Sequence, residues 1–168
     1  MKNIDEQFLI KQIREEHVEG FNAAVGAVAR EKKYLAFLDS PSLESSRDFV
    51  REMIAANMPA LVALANDNVV GWCDISPLDR PVFDHSGCLG IGIIQGYRNL
   101  GLGEHLIRQA LALAIDRGLT RIELTVRENN TSAINLYKKV GFIAEGLHIN
   151  AVKIDDRYEN HVSMAILL

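Results

Sequence analysis

Two glycines stand one residue apart in the stretch QGYRNLGLGEHL, between an arginine and a run of apolar residues at helical spacing. Inside a helix, a glycine costs about 1 kcal/mol relative to alanine. At a helix entrance, Gly101 and Gly103 can leave the first N–H groups bare, and these carry a partial positive charge that binds phosphate. Arg98 adds a permanent charge suited to phosphate oxygens. The stretch predicts either a pyrophosphate cradle or a purely structural turn.

The glycines alone do not decide between these two interpretations. The segment GLGEHL lacks the third glycine of the dinucleotide-binding fingerprint, and no Gly-Lys-Ser/Thr follows as in a P-loop. A nucleotide- or phosphosugar-binding domain that uses the same helix end stays open at this point.

A second group of polar residues follows RIELTV, the clearest strand pattern in the chain. Asn130 or Thr131 can cap a short helix there, because both side chains accept hydrogen bonds from a first helical turn. Ala133 and Tyr137 share one face of this helix. Spacing alone favours Tyr137 as a core residue whose hydroxyl is bonded elsewhere.

The elements that position these residues follow from apolar periodicity and turn signals. Seven strands are predicted at residues 8–13, 60–65, 69–75, 87–94, 121–126, 142–153 and 158–167. Helices are predicted over residues 18–28, 43–57, 102–117 and 131–139. Strand 87–94 is rich in glycine, which permits close approach of another backbone or a ligand. The order predicts a single mixed α/β domain over residues 1–168.

Composition limits the class of protein. The 168 residues are 48% hydrophobic and 24% charged with a formal net charge of −4, so no broad basic field is present to hold nucleic acid. The N-terminal stretch carries scattered charges, unlike a signal peptide, and no apolar run reaches the roughly 18 residues that span a bilayer. Cys73 and Cys88 lack a CxxC neighbour, which favours reduced thiols over a metal site. We expect a cytoplasmic protein with no nucleic-acid or membrane partner.

Two segments resemble a known superfamily, the GNAT acyl-CoA-dependent N-acetyltransferases. Residues 98–103, RNLGLG, resemble its Gln/Arg-x-x-Gly-x-Gly/Ala motif. Residues 123–142 are similar to its second signature, a strand followed by N-x-x-A-x-x-L-Y-x-K-x-G-F, at the usual distance from the first. The resemblance implies a mostly antiparallel, twisted sheet that splays between its fourth and fifth strands and is flanked by helices.

The resemblance also implies that acetyl-CoA binds between those two strands as cosubstrate, and it implies no metal. Backbone groups of Ile93 and Ile94 would pair with the pantetheine arm, and Asn130 would bond its end. Tyr137 would face the thioester sulfur and protonate the departing thiolate. Besides these, the expected cofactor-binding residues are Arg98, Asn99, Leu100, Gly101, Leu102, Gly103, Glu104 and Ala133.

The general base is not determined by the sequence. A peptide α-amino group with a pKa of about 8 needs about one unit of help at pH 7, whereas a lysine-type amine at about 10.4 needs over three units. Five side chains near predicted strand ends could face the acceptor: Asp74, Asp84, His85, Glu145 and His148. We assign none of them, and deprotonation through water stays open.

The expected function is transfer of the acetyl group of acetyl-CoA to a primary amine of a small molecule, such as an amino acid, by direct attack in a ternary complex. The C-terminal half looks most like bacterial family members that acetylate small amines. A protein N-terminus or a polyamine is an alternative acceptor, and a non-catalytic acyl-CoA sensor is an alternative of another class. We also expect a homodimer, with the apolar run 162–168 either forming an interface strand or completing the sheet of the monomer.

Overall fold

The computed structural model describes residues 4–168, in which seven strands form one sheet. The strands are β1 (Leu9–Gln12), β2 (Ala60–Ala65), β3 (Asn68–Pro77), β4 (Ser86–Ile93), β5 (Arg121–Arg127), β6 (Ile143–Ile154) and β7 (Arg157–Leu167). Their spatial order is β1-β2-β3-β4-β5-β7-β6, and each neighbouring pair is antiparallel except β4 with β5. The predicted mixed α/β fold with a mostly antiparallel sheet is confirmed.

Helices cover both faces of the sheet. They are α1 (Ile4–Gln7), α2 (Val18–Ala29), α3 (Leu43–Ala55), α4 (Leu102–Asp116) and α5 (Thr131–Val140). Alternate residues of β2 pack into two separate apolar clusters, one under α2 and α3 and the other under α4 and α5. We call these the α2/α3 face and the α4/α5 face. Within residues 4–168, no helix is long and apolar enough to cross a membrane.

The short elements show where sequence patterns are weakest. The predicted helices and strands are all present, but the single turn α1 and two short 3-10 turns, Glu15–His17 and Pro81–Phe83, were not predicted. The turn between β2 and β3 holds two residues rather than three, because Asn66 and Asp67 both adopt positive φ, at 48° and 64°.

The sheet opens between β4 and β5, as the family resemblance implied. These two strands pair over only three positions, the last of them Cys88 with Glu123. Beyond that point β4 stays paired with β3 as far as Ile93, and β5 stays paired with β7 as far as Arg127. Because each strand follows the twist of its own partner, the two diverge and leave a gap.

The connection between α2 and α3 is fastened beside this gap by two arginines. Arg98 forms a bidentate ion pair with Glu31, with Nη1 2.9 Å from Oε2. Its Nε donates to the Ile93 carbonyl at 2.7 Å, and its guanidinium lies 4.7 Å from the centre of the Tyr34 ring. Within the protein, three of the five N–H donors of the Arg98 side chain are engaged by Ile93 and Glu31, and its binding of phosphate stays a prediction.

The second arginine, Arg127, is only 3% exposed. It donates to the carbonyl oxygens of Lys32 at 2.6 Å and Leu35 at 3.0 Å, and it pairs with Glu159 at 3.2 Å. The connection over residues 30–42 is thus tied to β4 through Arg98 and to β5 through Arg127, one on each side of the gap.

The pair Arg98–Glu31 provides a test of this anchoring. In a double-mutant cycle with Arg98→Met and Glu31→Gln, we expect a coupling of about 1–2 kcal/mol, because the ion pair is bidentate and half-buried. The Arg98 hydrogen bond lowers the pKa of Glu31. The coupling should then be complete above the ordinary glutamate pKa of about 4.3 and disappear as the pH falls through the lowered value. Urea unfolding of the four proteins between pH 7 and pH 3 measures it.

The exposed pair Arg30–Asp39 is the matched control, since both of its side chains are more than half exposed. A cycle with Arg30→Met and Asp39→Asn should give a coupling below about 0.5 kcal/mol. An equal coupling for the two pairs at pH 7, or a coupling at Arg98 that does not change with pH, would contradict the anchoring role.

Candidate functional site

The edge of β4 that borders the gap presents unpaired backbone groups. The N–H of Ile94 donates to the Val70 carbonyl of β3 at 3.0 Å, and the Ile94 carbonyl accepts from the Tyr97 N–H at 3.2 Å. Since backbone groups alternate along a strand, Ile91 and Ile93 direct theirs to the opposite edge, into the gap. The backbone groups of Ile94 thus bond within the protein, whereas Ile91 and Ile93 hold the positions facing the gap, and the pairing of a ligand with Ile94 stays a prediction.

A loop of unusual backbone geometry follows at the mouth of the gap. Gly96, Asn99 and Gly101 have φ values of 94°, 61° and 84°. Left-handed residues of this kind turn successive N–H groups toward a common centre, which makes an anion-binding concavity. Gly101 is the N-cap of α4 and has no side chain to accept a hydrogen bond, so the first N–H groups of the helix, from Leu102 onward, stay bare.

Gly103 serves the packing of α4. A Cβ at this position would lie 3.0 Å from Cδ2 of Leu136 on α5 and 3.4 Å from Cδ1 of Ile93 on β4. The prediction that Gly103 also keeps the helix end clear for phosphate stays a prediction. The glycine lets α4 approach α5 and β4 closely, while its N–H belongs to the bare first turn.

The acidic residue of that first turn is neutralised by two cations. Glu104 accepts from Lys139 of α5 at 2.6 Å and from Arg108 one turn further along α4 at 2.9 Å, and these hydrogen bonds lower its pKa. Lys139 thus links α5 to α4 at the mouth of the gap, where Glu104 would otherwise repel an anion.

Asn130 begins α5 on the other side of the gap. Its Oδ1 accepts from the backbone N–H of Ala133 at 3.2 Å, so Asn130, not Thr131, is the N-cap. This bond occupies the oxygen of the side chain and leaves its NH₂ group as the donor available to a ligand. Ala133 is partly buried against the core of the α4/α5 face.

Tyr137 lies on the α4/α5 face with only 7% of its surface exposed. Burial and the nearby Cys73 raise the pKa of its phenol, which keeps the hydroxyl protonated. No residue in the described part of the chain hydrogen-bonds this hydroxyl, and Arg117 Nη1 is the one fully buried side-chain atom there without a partner. The Tyr137 hydroxyl therefore keeps access to solvent and is not sealed in the core.

The α2/α3 face of β4 is bare of side chains next to the gap. A Cβ at Gly92 would lie 2.1 Å from the Trp72 ring, and one at Gly90 would lie 3.1 Å from Oδ1 of Asp74. The sequence suggested that these glycines admit a neighbouring backbone or a ligand. They admit two side chains of β3, which lie across β4 toward the gap.

Among the five acidic and histidine residues considered from the sequence, Asp74 has the most perturbed environment. Burial raises its pKa to about 7, against a smaller opposite effect of the Ser76 hydroxyl, which donates to Oδ2 at 3.1 Å. Glu145 instead pairs with Arg121 at 2.6 Å, which lowers its pKa. Asp84 and His85 lie exposed before β4, and His148 lies opposite His161 on the outer hairpin.

A cavity of about 490 Å³ adjoins the closed end of the gap on the α2/α3 side. Its lining combines apolar and charged side chains: Leu78, Asp79, Arg80, Val82, Phe83, His85, Ser86, Arg121 and Glu123. No group of three or more His, Cys, Asp or Glu side chains within residues 4–168 is placed to hold a metal ion. The structure thus brings together a bare helix end, an open strand edge, a buried phenol and a half-buried carboxyl group.

Curated relatives share part of this architecture. The L-amino acid N-acetyltransferase AaaT of Escherichia coli (strain K12) is 39% identical over 88 residues, which are 51% of this chain and 54% of that protein. The N-alpha-acetyltransferase RimI of Mycobacterium tuberculosis is 35% identical over 100 residues, 59% of this chain and 61% of that protein. The match therefore spans only a little more than half the length of either relative.

Solved structures extend the similarity to nearly the whole chain. The crystal structure of an acetyltransferase of the GNAT family from Streptococcus pneumoniae has a TM-score of 0.89 and 27% identity, and covers 96% of this chain and 100% of that one. A phosphinothricin acetyltransferase from Sinorhizobium meliloti in complex with AcCoA has a TM-score of 0.91, covering 96% of this chain and 89% of that one, and at 16% identity it shows the shared fold.

A family model supplies the remaining link between sequence and fold. The model described as the Acetyltransferase (GNAT) family matches residues 13–142, from the end of β1 to the start of β6. The matched part contains the gap, the bare end of α4, Asn130 and Tyr137. The chain belongs to the GNAT family of acetyltransferases.

Proposed function

We propose that this protein transfers the acetyl group of acetyl-CoA to the primary amine of a small molecule, by direct attack within a ternary complex. The observation that carries this proposal is the gap between β4 and β5, which ends at the bare N-terminus of α4. A long, thin ligand with an anionic group at one end fits such a slot, because backbone donors lie along its wall and at its mouth.

The residues of the slot fit acetyl-CoA. Backbone N–H groups of residues 98–104 would hold the pyrophosphate, the Ile93 N–H and the backbone of Ile91 would pair with the pantetheine arm, and the side-chain NH₂ of Asn130 would bond its end. Acetyl-CoA supplies the activated acyl group and a thiolate as leaving group. A CoA thiol similar to cysteine has a pKa of about 8.5, so it leaves readily once the amine attacks.

Tyr137 is the group we propose as the acid. Its raised pKa keeps the phenol protonated at neutral pH, and its hydroxyl has no partner in the described part of the chain. Burial of the ring beside Phe142, at 5.8 Å between centroids, fixes its orientation and excludes water from one side. A sensor that only binds acyl-CoA would have no need of an open, protonated phenol at this place.

The acceptor is best sought among small α-amines. One relative is named an L-amino acid N-acetyltransferase and another an N-alpha-acetyltransferase, and both names refer to an α-amino group. A peptide α-amino group needs about 1.4 kcal/mol to become neutral at pH 7, against about 5 kcal/mol for a lysine-type amine. A protein N-terminus is the second candidate, because it shares this chemistry.

We also propose a homodimer formed along β6. The sequence left two roles open for the run 162–168, an interface strand or part of the monomer's own sheet. In the structure this run belongs to β7, which pairs with β5 and β6 and so completes the sheet of the monomer. The edge strand is β6, whose Ile143, Leu147 and Ile149 are 64%, 49% and 66% exposed. Sedimentation at micromolar concentration should show a species of twice 18.7 kDa, and Ile149→Glu should convert it to the monomer.

Calorimetry and an amine panel test the proposed reaction. Acetyl-CoA and CoA should bind at least about tenfold more tightly than ATP or NAD, because the slot extends beyond the phosphate cradle. Release of CoA should then depend on the amine, measured with free amino acids, a peptide with a free N-terminus, a lysine side-chain amine and a diamine. Binding without amine-dependent release indicates a sensor, release with the peptide alone indicates a protein acceptor, and no acetyl-CoA binding contradicts the proposal.

Two glycines at opposite ends of α4 allow a matched pair of variants that tests the phosphate-binding role of the loop before this helix. Gly101 and Gly118 both have positive φ, at 84° and 77°, so alanine is strained at either position. We expect Gly101→Ala to weaken acetyl-CoA binding at least about tenfold and Gly118→Ala to leave it within about threefold. Equal affinities of the two folded variants would show that the cradle lies elsewhere.

Replacement of Tyr137 by phenylalanine tests the acid. The change removes one oxygen and keeps the packing of the ring, so the acetyl-CoA dissociation constant should stay within about threefold. Turnover should fall at least about tenfold, because a positioned acid is worth roughly 10²–10⁴ and water can replace part of it. The measurement needs an acceptor whose chemical step limits the rate. Unchanged turnover there would leave Tyr137 as a packing residue.

A further inference from the structure

A carboxyl group stands beside the gap without a cation to pair with it. Asp74 of β3 is directly opposite Gly90 of β4, and its Oδ1 lies 3.1 Å from the place that a Cβ at that glycine would take. Any larger residue at position 90 would push the carboxyl group away. The missing side chain therefore lets Asp74 lie across β4, whose far edge borders the gap.

The surroundings of Asp74 are apolar or neutral. Ser76 donates to its Oδ2 at 3.1 Å, and the Ser76 hydroxyl in turn lies 3.9 Å from the sulfur of Met53 on α3. The titratable neighbours are the thiols of Cys88 on β4 and Cys73 on β3. Burial raises the pKa of both thiols, and the charge of Asp74 adds a smaller effect. Burial and Ser76 are the influences on Asp74 itself, and no charged side chain of the described residues contributes.

Such a carboxyl group costs stability. Removing an ionised carboxylate from water is unfavourable unless a cation or several donors compensate it, and Asp74 has one hydroxyl donor. Two other carboxylates near the closed end of the gap are compensated, since Glu123 and Glu145 both contact Arg121. Because no cation in the described part of the protein pairs with the Asp74 carboxylate, this group is available to a cationic ligand.

Asp74 and Tyr137 flank the same part of the sheet from opposite faces. Trp72 and Ser76 lie with Asp74 on the α2/α3 face, whereas Cys73 points to the α4/α5 face. Cys73 is near enough to Tyr137 to raise the pKa of its phenol. Cys73 and Asp74 are consecutive residues of β3. The Asp74 carboxyl group on one face therefore lies one residue along the strand from Cys73, which is close to the Tyr137 phenol on the other face.

We propose that Asp74 receives the ammonium group of the acceptor on the α2/α3 face and removes its proton. This inference rests on the proposed acetyl transfer and assigns its base. The Asp74 carboxylate takes one proton from the ammonium, which frees the nitrogen lone pair to form the C–N bond with the thioester carbonyl carbon. The C–S bond breaks, sulfur keeps the electron pair and takes the proton of the Tyr137 hydroxyl, and the second proton lost by nitrogen restores that hydroxyl.

Replacement of Asp74 by asparagine, with Asp84→Asn as control, tests the assignment. Asparagine keeps the shape of the side chain and its contact with Ser76 but accepts no proton. Asp84 serves as the control because it is an exposed loop residue. We expect kcat/KM of Asp74→Asn to fall at least about 100-fold and its acetyl-CoA dissociation constant to stay within about threefold. The parent and Asp84→Asn should show a rate that rises with pH through about 7, where Asp74 loses its proton, and in Asp74→Asn the rate should rise only with the ionisation of the amine itself, at about pH 8 or above.

A second measurement does not require turnover. In protein labelled with ¹³C at aspartate carboxyl groups, the Asp74 signal is identified by its absence from Asp74→Asn. It should titrate near pH 7 and shift when the amines of the panel are added to the protein loaded with CoA. Melting temperatures at pH 8 serve as the folding control, and Asp74→Asn should melt at or above the parent, since it buries no charge.

The outcomes separate this inference from the proposed function. If Asp74→Asn has the same activity and the same pH dependence as the parent, the assignment of Asp74 as the base is overturned, while the proposed acetyl transfer stands. No amine-dependent CoA release from the parent overturns the proposed function. In that case a shift of the Asp74 signal with added amine still supports an ammonium site, and a signal that no amine moves overturns that site as well.

Discussion

The short ladder between β4 and β5 is the feature on which the rest of the structure depends. Three paired positions join the two halves of the sheet, and past Cys88 the strands separate although both continue. Backbone groups that leave a ladder need other partners, because an unpaired buried donor or acceptor is costly. Here the fold leaves the N–H of Ile93 open to the gap and uses its carbonyl to hold Arg98. The opening is therefore built into the pairing of the strands.

Glycines and arginines around the gap serve the protein's own packing more than a ligand. Gly90 and Gly92 make room for side chains of β3, and Gly103 makes room for Leu136 of α5. Gly101 differs, because its φ of 84° is what turns the chain into α4 without a capping side chain. The two arginines hold the α2–α3 connection on either side, so the rims of the gap are fixed before any ligand arrives. A ligand that binds between fixed rims loses less binding free energy to the ordering of the protein.

Local patterns in the sequence were sufficient for the seven strands and the four longer helices, which apolar periodicity and turn signals located. They left the cap of α5 open between Asn130 and Thr131, and the structure shows that Asn130 is the cap. The partners of side chains were not predictable in this way. Arg98 lies in a sequence pattern typical of phosphate binding, but in the structure it pairs with Glu31. Glu31 lies far away in the sequence, and no local signal indicates that the two side chains meet. The environment of Asp74 likewise depends on Gly90 across the ladder, which becomes visible only once the register of β3 and β4 is known.

Burial acts in the same direction on the two groups to which we assign proton transfer, yet it prepares them for opposite roles. It raises the pKa of Tyr137 further above neutrality, so the phenol stays protonated, and it raises that of Asp74 to about 7, where a carboxylate becomes a useful base. The two groups lie on opposite faces of the sheet, whose strands β4 and β5 separate where their ladder ends. An amine that enters from one face and a thiolate that departs on the other then each meet the group to which we assign its proton transfer.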